Sequence, residues 1–225
     1  MRVTLHDLKK ANPQDVDVRK AIVAGWTGRD RVALEKHIRE LEELGVARPA
    51  STPVYYRVAA SRISTTDRLE STGENSSGEV EFVLAQWGGE LWVGVGSDHT
   101  DRQVETYNVT VSKQMCEKPV GAEFWRYADI VSHWDQLVMR SWISENGARV
   151  LYQEGSVAAM LDPQTLISGY DGKSALDENT IMFCGTFAAK GGIRPSGRFE
   201  FEIHDPVLGR TIRHQYTIET LPVLG

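Results

Sequence analysis

Residues 78–98 read GEVEFVLAQWGGELWVGVGSD, and this stretch decides the fold. Two runs of apolar, β-branched and aromatic residues flank Gly88-Gly89, a combination that closes a tight β-hairpin. Side chains two apart on a strand share a face, so Glu79 and Glu81 project to one side and Val80 to the other. The returning strand runs on to Asp98, which the hairpin brings back beside both glutamates. Three carboxylates crowded together repel one another unless a cation neutralises them. A ligand set of oxygens, without Cys or His, suits a hard divalent ion, Mg²⁺ first, with Mn²⁺ and Ca²⁺ as alternatives. The same spacing also fits a solvated strand face followed by a turn aspartate. On spacing alone both readings stay open.

Upstream, RKAIVAG (19–25) reads as a short buried strand, and TGRDRVALEKHIRELEELG (27–45) as one helix. In that helix Leu34, Ile38, Leu41 and Leu44 recur at steps of three and four, Thr27 or Asp30 can cap the start, and Gly45 can end it. Pro49 and Pro53 then interrupt the chain before the β-rich VYYRVAASRI (54–63). STGENSSG (71–78) is a loop by composition, and the composition of the wider stretch 66–78 suits a mobile lid. Downstream, short strands are expected over 106–113 and 149–153, and a helix over 156–161 ahead of DPQTLISGY. The end of the chain is strongly β in NTIMFCGTF, GRFEFEIHDP and RTIRHQYTIETL. Strands outnumber helices, so the fold class is α+β, mainly β, in one domain over 1–225.

The bulk numbers narrow the function classes. A chain of 225 residues with net charge −6 offers no broad basic surface, which argues against nucleic acid and anionic lipid as partners. Cys116 and Cys184 are the only cysteines and lie outside any CxxC pattern, so two ordinary thiols in a reducing compartment are expected. The N-terminus, MRVTLHDLKKANPQDVDV, carries charge throughout and lacks the apolar core of a signal peptide. No apolar run approaches the roughly 18 residues that would span a bilayer. The expectation is a soluble cytoplasmic protein. The tryptophans are scattered and read as core or subunit-contact residues, and His99, His133, His204 and His214 as structural.

The run E-V-E-F followed by S-D-H-T-D-R resembles the hallmark of the fumarylacetoacetate hydrolase (FAH) superfamily, a Glu-x-Glu strand and then an Asn-Asp-x-Ser-x-Arg turn. Asp98 takes the place of the metal Asp, Thr100 the hydroxyl position and Arg102 the Arg, while Ser97 stands where the Asn usually is. SKQMCEKP is similar to the family's Gly-Lys-Ser…Pro segment and puts Lys113 at its functional lysine; FCGTF is similar to its Thr-Gly-Thr strand end and makes Thr186 the substrate-contacting threonine. In the hydrolase branch a fourth metal Asp precedes the catalytic His by seven residues, a spacing that Asp30 and His37 keep. A glutamate partner for that His lies about fourteen residues after the threonine, where Glu200 stands in GRFEFEI. The resemblance covers about 20–220 in collinear order.

It implies an FAH-like β-roll with a few flanking helices, a homodimer, and a divalent cation held by Asp30, Glu79, Glu81 and Asp98. The activity implied is hydrolysis of a C–C bond in a 2,4-dioxo or acylpyruvate-type acid. The ion and Lys113 would stabilise the enolate, and His37, supported by Glu200, would activate water. Thr186 would hold a substrate oxygen, and Arg57 or Arg102 a substrate carboxylate. Departures bear on the substrate: Glu105 replaces a family glutamine, Val32 lies at the position of a substrate-binding Tyr, and the chain is too short for the larger enzyme's N-terminal barrel. A smaller 2-oxo acid is therefore expected. Two alternatives are a decarboxylase, hydratase or tautomerase on the same scaffold, and a non-catalytic binding protein.

Overall fold

The computed structural model describes residues 1–43 and 48–224, with the side chains of His37, Glu40 and Leu41 outside the description. In chain order the main strands are β1 (Arg2–His6), β2 (Ala11–Asp15), β3 (Lys20–Gly25), β4 (Val54–Val58), β5 (Arg68–Thr72), β6 (Val80–Trp87) and β7 (Glu90–Ser97). They continue as β8 (Glu123–Arg126), β9 (Val138–Glu145), β10 (Ala148–Ser156), β11 (Thr180–Phe183), β12 (Arg198–Asp205) and β13 (Arg210–Leu221). The helices are α1 (Arg31–Glu43), α2 (Arg102–Glu105), α3 (Val109–Met115) and α4 (Pro163–Asp171).

The expected hairpin is at the centre of the fold. β6 and β7 pair antiparallel from Val80–Ser97 to Trp87–Glu90. Gly88 and Gly89 both adopt positive φ, 63° and 77°, the backbone that lets a two-residue turn follow the strand twist. The hairpin sits inside an eight-stranded sheet of order β2-β1-β8-β7-β6-β11-β3-β4. A five-stranded sheet, β10-β9-β12-β13-β5, packs on one face of it.

Alternation along β6 explains how it serves two cores. Val80, Phe82 and Leu84 enter the cluster between the sheets with Phe199, Phe201, Ile203, Ile212 and Tyr216. Val83, Ala85 and Trp87 enter a second cluster with Val23, Val58, Phe124 and Phe183 on the opposite face. With cover on both faces, every residue of β6 is buried, which is why VEFVLAQW is almost uninterruptedly apolar.

Some local expectations are corrected. Residues 106–113 are not a strand. Asp101 accepts from Val104 N (2.9 Å) to cap α2, and Asn108 accepts from Val111 N (3.0 Å) to cap α3, and these caps outweigh the β-branched Val-Thr-Val. The helix expected over 156–161 is a single 3₁₀ turn at Val157–Ala159. The longer helix is DPQTLISGY itself, with Asp162 capping, Pro163 in the first turn and Gly172 closing in the left-handed region. α1 forms as expected, whereas the side chain of Leu41, and Leu44 and Gly45 altogether, lie outside the described residues. No helix among the described residues is long and apolar enough to cross a membrane.

Candidate metal centre

β6 and β11 run antiparallel, and β11 ends at Phe183 opposite Val83. β6 continues past that point, so its first residues face a gap at the sheet's end. On the other side Asp98 N donates to Glu79 O (3.0 Å), which prolongs the β6–β7 ladder and sets Asp98 beside Glu79. Glu79, Glu81 and Asp98 each place a carboxylate oxygen within 4.8 Å of the others. Glu81 is 3% exposed and Asp98 has no exposure. The opposing strand end contributes too: Gly185 N donates to Glu81 Oε2 at 2.7 Å. Gly185 has a φ of +101°, and a Cβ there would lie 1.8 Å from Thr27 Oγ1, so both the backbone and the space demand glycine.

Three cations surround the acids. Lys113 Nζ, from α3, bonds Asp98 Oδ2, and Lys118 Nζ lies 3.2 Å from Asp98 Oδ1. Arg102 Nη1 lies 3.3 Å from Glu79 Oε1 and 2.9 Å from Glu105 Oε2. Burial raises the Glu81 carboxyl well above the usual range, and the Asp98 charge raises it further. Burial would raise Asp98 as well, but Lys113 and then Lys118 outweigh it and hold that carboxyl at about 2. Burial lowers Lys113, and Asp98, Glu79 and Glu81 more than restore it, so it stays cationic. Two neighbouring acids are thus driven apart, one wanting a proton and one refusing it. A divalent ion supplies what Glu81 lacks, and an all-carboxylate set fits a hard one. The residues present therefore fit such an ion.

The other expected site residues separate. Asp30 is exposed and its Oδ1 caps α1, accepting from Val32 N (2.9 Å) and Ala33 N (3.0 Å); it is not among the converging carboxylates. His37 lies in α1 with its side chain outside the described residues. Glu200 is corrected by alternation. Phe199 and Phe201 face the inter-sheet core, so Glu200 projects from the outer face of the five-stranded sheet, held by Arg149 (2.7 Å) and Arg198 (3.1 Å). Glu81 projects from the far face of the other sheet, with Val83. Both sheets stand between the two glutamates.

Arg57 alternates away from Tyr56, whose ring centroid is 5.8 Å from Lys113 Nζ, and instead donates to Ala21 O (3.2 Å) and Tyr170 Oη (3.5 Å). Arg102 is within reach of the acids but already committed to them. Thr186 Oγ1 donates to Val80 O (2.7 Å) and accepts from Gln153 Nε2 (2.8 Å), so its proton is spent on the backbone. Lys118 was not singled out from the sequence. It has no exposure, and lysine so seldom buries without a partner that only the position of Asp98 would have pointed to it. His99 is fully buried, its Nδ1 lies 2.8 Å from Tyr216 Oη, and burial, then Lys118 and Arg102, lower it to about 3.

Solved structures share this architecture. The structure of Cg1458 with inhibitor superposes with a TM-score of 0.67 at 17% identity, covering 95% of this chain and 82% of that one. A 2-keto-3-deoxy-D-arabinonate dehydratase complexed with magnesium and 2,5-dioxopentanoate gives 0.62 at 15% identity, covering 96% and 79%. At such identities the likeness shows the fold, and it is the mainly β α+β fold that the sequence pattern indicated and the FAH-like one that the resemblance implied. No curated protein matches the chain. Residues 24–216 match the family described as "Protein of unknown function (DUF2848)", and with most of its length so matched the chain belongs to that family.

Proposed function

We propose that this chain is a divalent-cation-dependent enzyme acting on a small 2-oxo acid, and that its chemistry is enolisation of the lyase or isomerase kind rather than hydrolysis. One observation carries the reading: three carboxylates meet beside Lys113 and Lys118, while the glutamate that a water-activating His-Glu dyad needs lies across both sheets. The magnesium and the dioxo acid bound by the dehydratase of like fold support it.

Glu79, Glu81 and Asp98 would hold the ion, Mg²⁺ by preference. Such an ion polarises the oxo group of a 2-oxo acid and makes the neighbouring C–H acidic. Lys113 stays charged through Asp98, and an ammonium has three donors, so it can keep Asp98 and still reach an incoming oxygen as negative charge develops there. Tyr56, half-buried beside Lys113, walls the site and limits water. Arg102 neutralises Glu79 and Glu105 and so tunes the charge of the acids. The remainder of the reading is a cytoplasmic location and a homodimer, and light scattering on the purified protein tests the dimer.

The direct test is proton NMR in D₂O with acylpyruvates and 2-oxo-3-deoxy acids of four to six carbons. With Mg²⁺ the C3 protons should exchange, at least one acid should lose water or CO₂ or tautomerise, and EDTA should stop both. Neither exchange nor product with Mg²⁺ or Mn²⁺ sinks the proposal. Release of pyruvate and a second carboxylic acid would restore hydrolysis in its place.

A further inference from the structure

Where β11 stops, the edge of β6 that faces away from β7 has no strand to bond among the described residues. Glu79 points its carbonyl at β7, so Val80, one residue on, turns its N–H and C=O to the open side. Both groups are nevertheless satisfied, and by side chains. Val80 N donates to Gln153 Oε1 (3.0 Å), and Val80 O accepts from Thr186 Oγ1 (2.7 Å). Gln153 comes from β10, on the other sheet, and is 1% exposed.

Its amide is fully used. Oε1 also accepts from Ser141 Oγ (2.9 Å), and Nε2 donates to Thr186 Oγ1 (2.8 Å) and Phe187 O (2.7 Å). Two acceptor sites and two donors thus meet four partners, and only this orientation of the amide serves all of them. One end grips the peptide between the two metal-facing glutamates. The other grips the segment whose Gly185 N bonds Glu81. A second contact fixes that segment: the Phe187 ring lies on Gly155, where a Cβ would come within 2.6 Å of it.

We propose that Gln153 is a positioning residue of the metal centre, holding the Glu-x-Glu strand end and the Gly185–Phe187 segment in one register from across the inter-sheet core. The proposal rests on the metal reading above. It touches neither ion nor substrate; it sets the distance between Glu81 and the groups that face it.

The test is Mn²⁺ affinity of the full chain, by electron paramagnetic resonance at a temperature well below unfolding, with near-ultraviolet circular dichroism to verify native packing. Gln153→Leu should weaken Mn²⁺ binding about tenfold, as loss of a group supporting metal ligands commonly does. Ser141→Ala removes a Gln153 partner that lies away from the acids; it should lower stability and leave affinity within about twofold. That contrast separates positioning from general loosening. Should Gln153→Leu not fold, Thr186→Val, which deletes the bond to Val80 O at nearly constant volume, must weaken Mn²⁺ severalfold. Unchanged affinity in the folded Gln153→Leu or Thr186→Val protein, or an equal loss in Ser141→Ala, overturns the proposal. A wild-type protein that takes up no Mn²⁺ removes the metal reading itself, and this proposal with it.

Discussion

Two strands of this molecule carry the same signature. GEVEF sets Glu79 and Glu81 two apart, on either side of the first residue of β6, and RFEFE sets Glu200 and Glu202 two apart on β12. On β12 each acid has two arginines: Arg149 and Arg198 for Glu200, Arg140 (3.1 Å) and Arg213 (2.8 Å) for Glu202. Their charge is balanced within the sheet, and nothing further is required. On β6 the acids meet a third carboxylate in a buried corner, and Glu81 receives a backbone N–H from Gly185. Alternating Glu-x-Glu is therefore neutral as to purpose. The cross-strand neighbours make one pair an arginine-paired ladder and the other a cation site.

The contrast is open to attack at several points. Lys113→Met should have the largest effect, because it strips a buried carboxylate of its principal partner; a loss of about 3–5 kcal/mol in urea unfolding is expected. Glu81→Gln is next. Its folded carboxyl ionises well above 4.5, while the unfolded one ionises there, so stability held by the acid form drains away as pH rises through that window. In EDTA at pH 7 the amide should thus raise the melting temperature by about 3 °C while Mn²⁺ binding disappears. A lower melting temperature would mean that the acids do not repel.

Glu200→Gln on the other strand should cost about 1 kcal/mol or less in the same urea assay and leave Mn²⁺ affinity and turnover unaltered. Loss of turnover there would reinstate the dyad. His214, beside the β12 ladder, gives the smallest signal. Burial lowers it, against the Thr66 carbonyl and Asp67, so the unfolded chain takes up a proton near 6.5 that the folded one resists. Stability should be level above that pH and fall slightly below it, with an NMR midpoint for His214 under 6.5. A midpoint above 6.5 would reverse the sign.

What could be read in advance follows the range of the interactions. The hairpin and the gathering of Glu79, Glu81 and Asp98 depend on contacts within twenty residues and on a two-residue turn, and both were legible. Glu200 was misplaced because a strand's period gives two faces without naming which one meets the site; Phe199 and Phe201 decide that only once the sheets pack. Asp30 sits at a spacing that also makes a helix cap, and in the fold its carboxylate serves that role. Arg57 was one residue away from the informative position, Tyr56. Lys118 and Gln153 became visible only in three dimensions, since each answers a group distant in the chain or on another sheet.

Because all eight residues of β6 are buried, its amides should exchange with solvent only when the whole domain opens. The acids at its end cannot spread to escape one another, so their mutual repulsion is a debt of the folded state alone. A cation that cancels it binds the native chain and not the unfolded one, which ties ion occupancy to folding by mass action, about 2.7 kcal/mol at a hundredfold excess over Kd. In a cell, the lifetime of this protein would then track the free concentration of its metal.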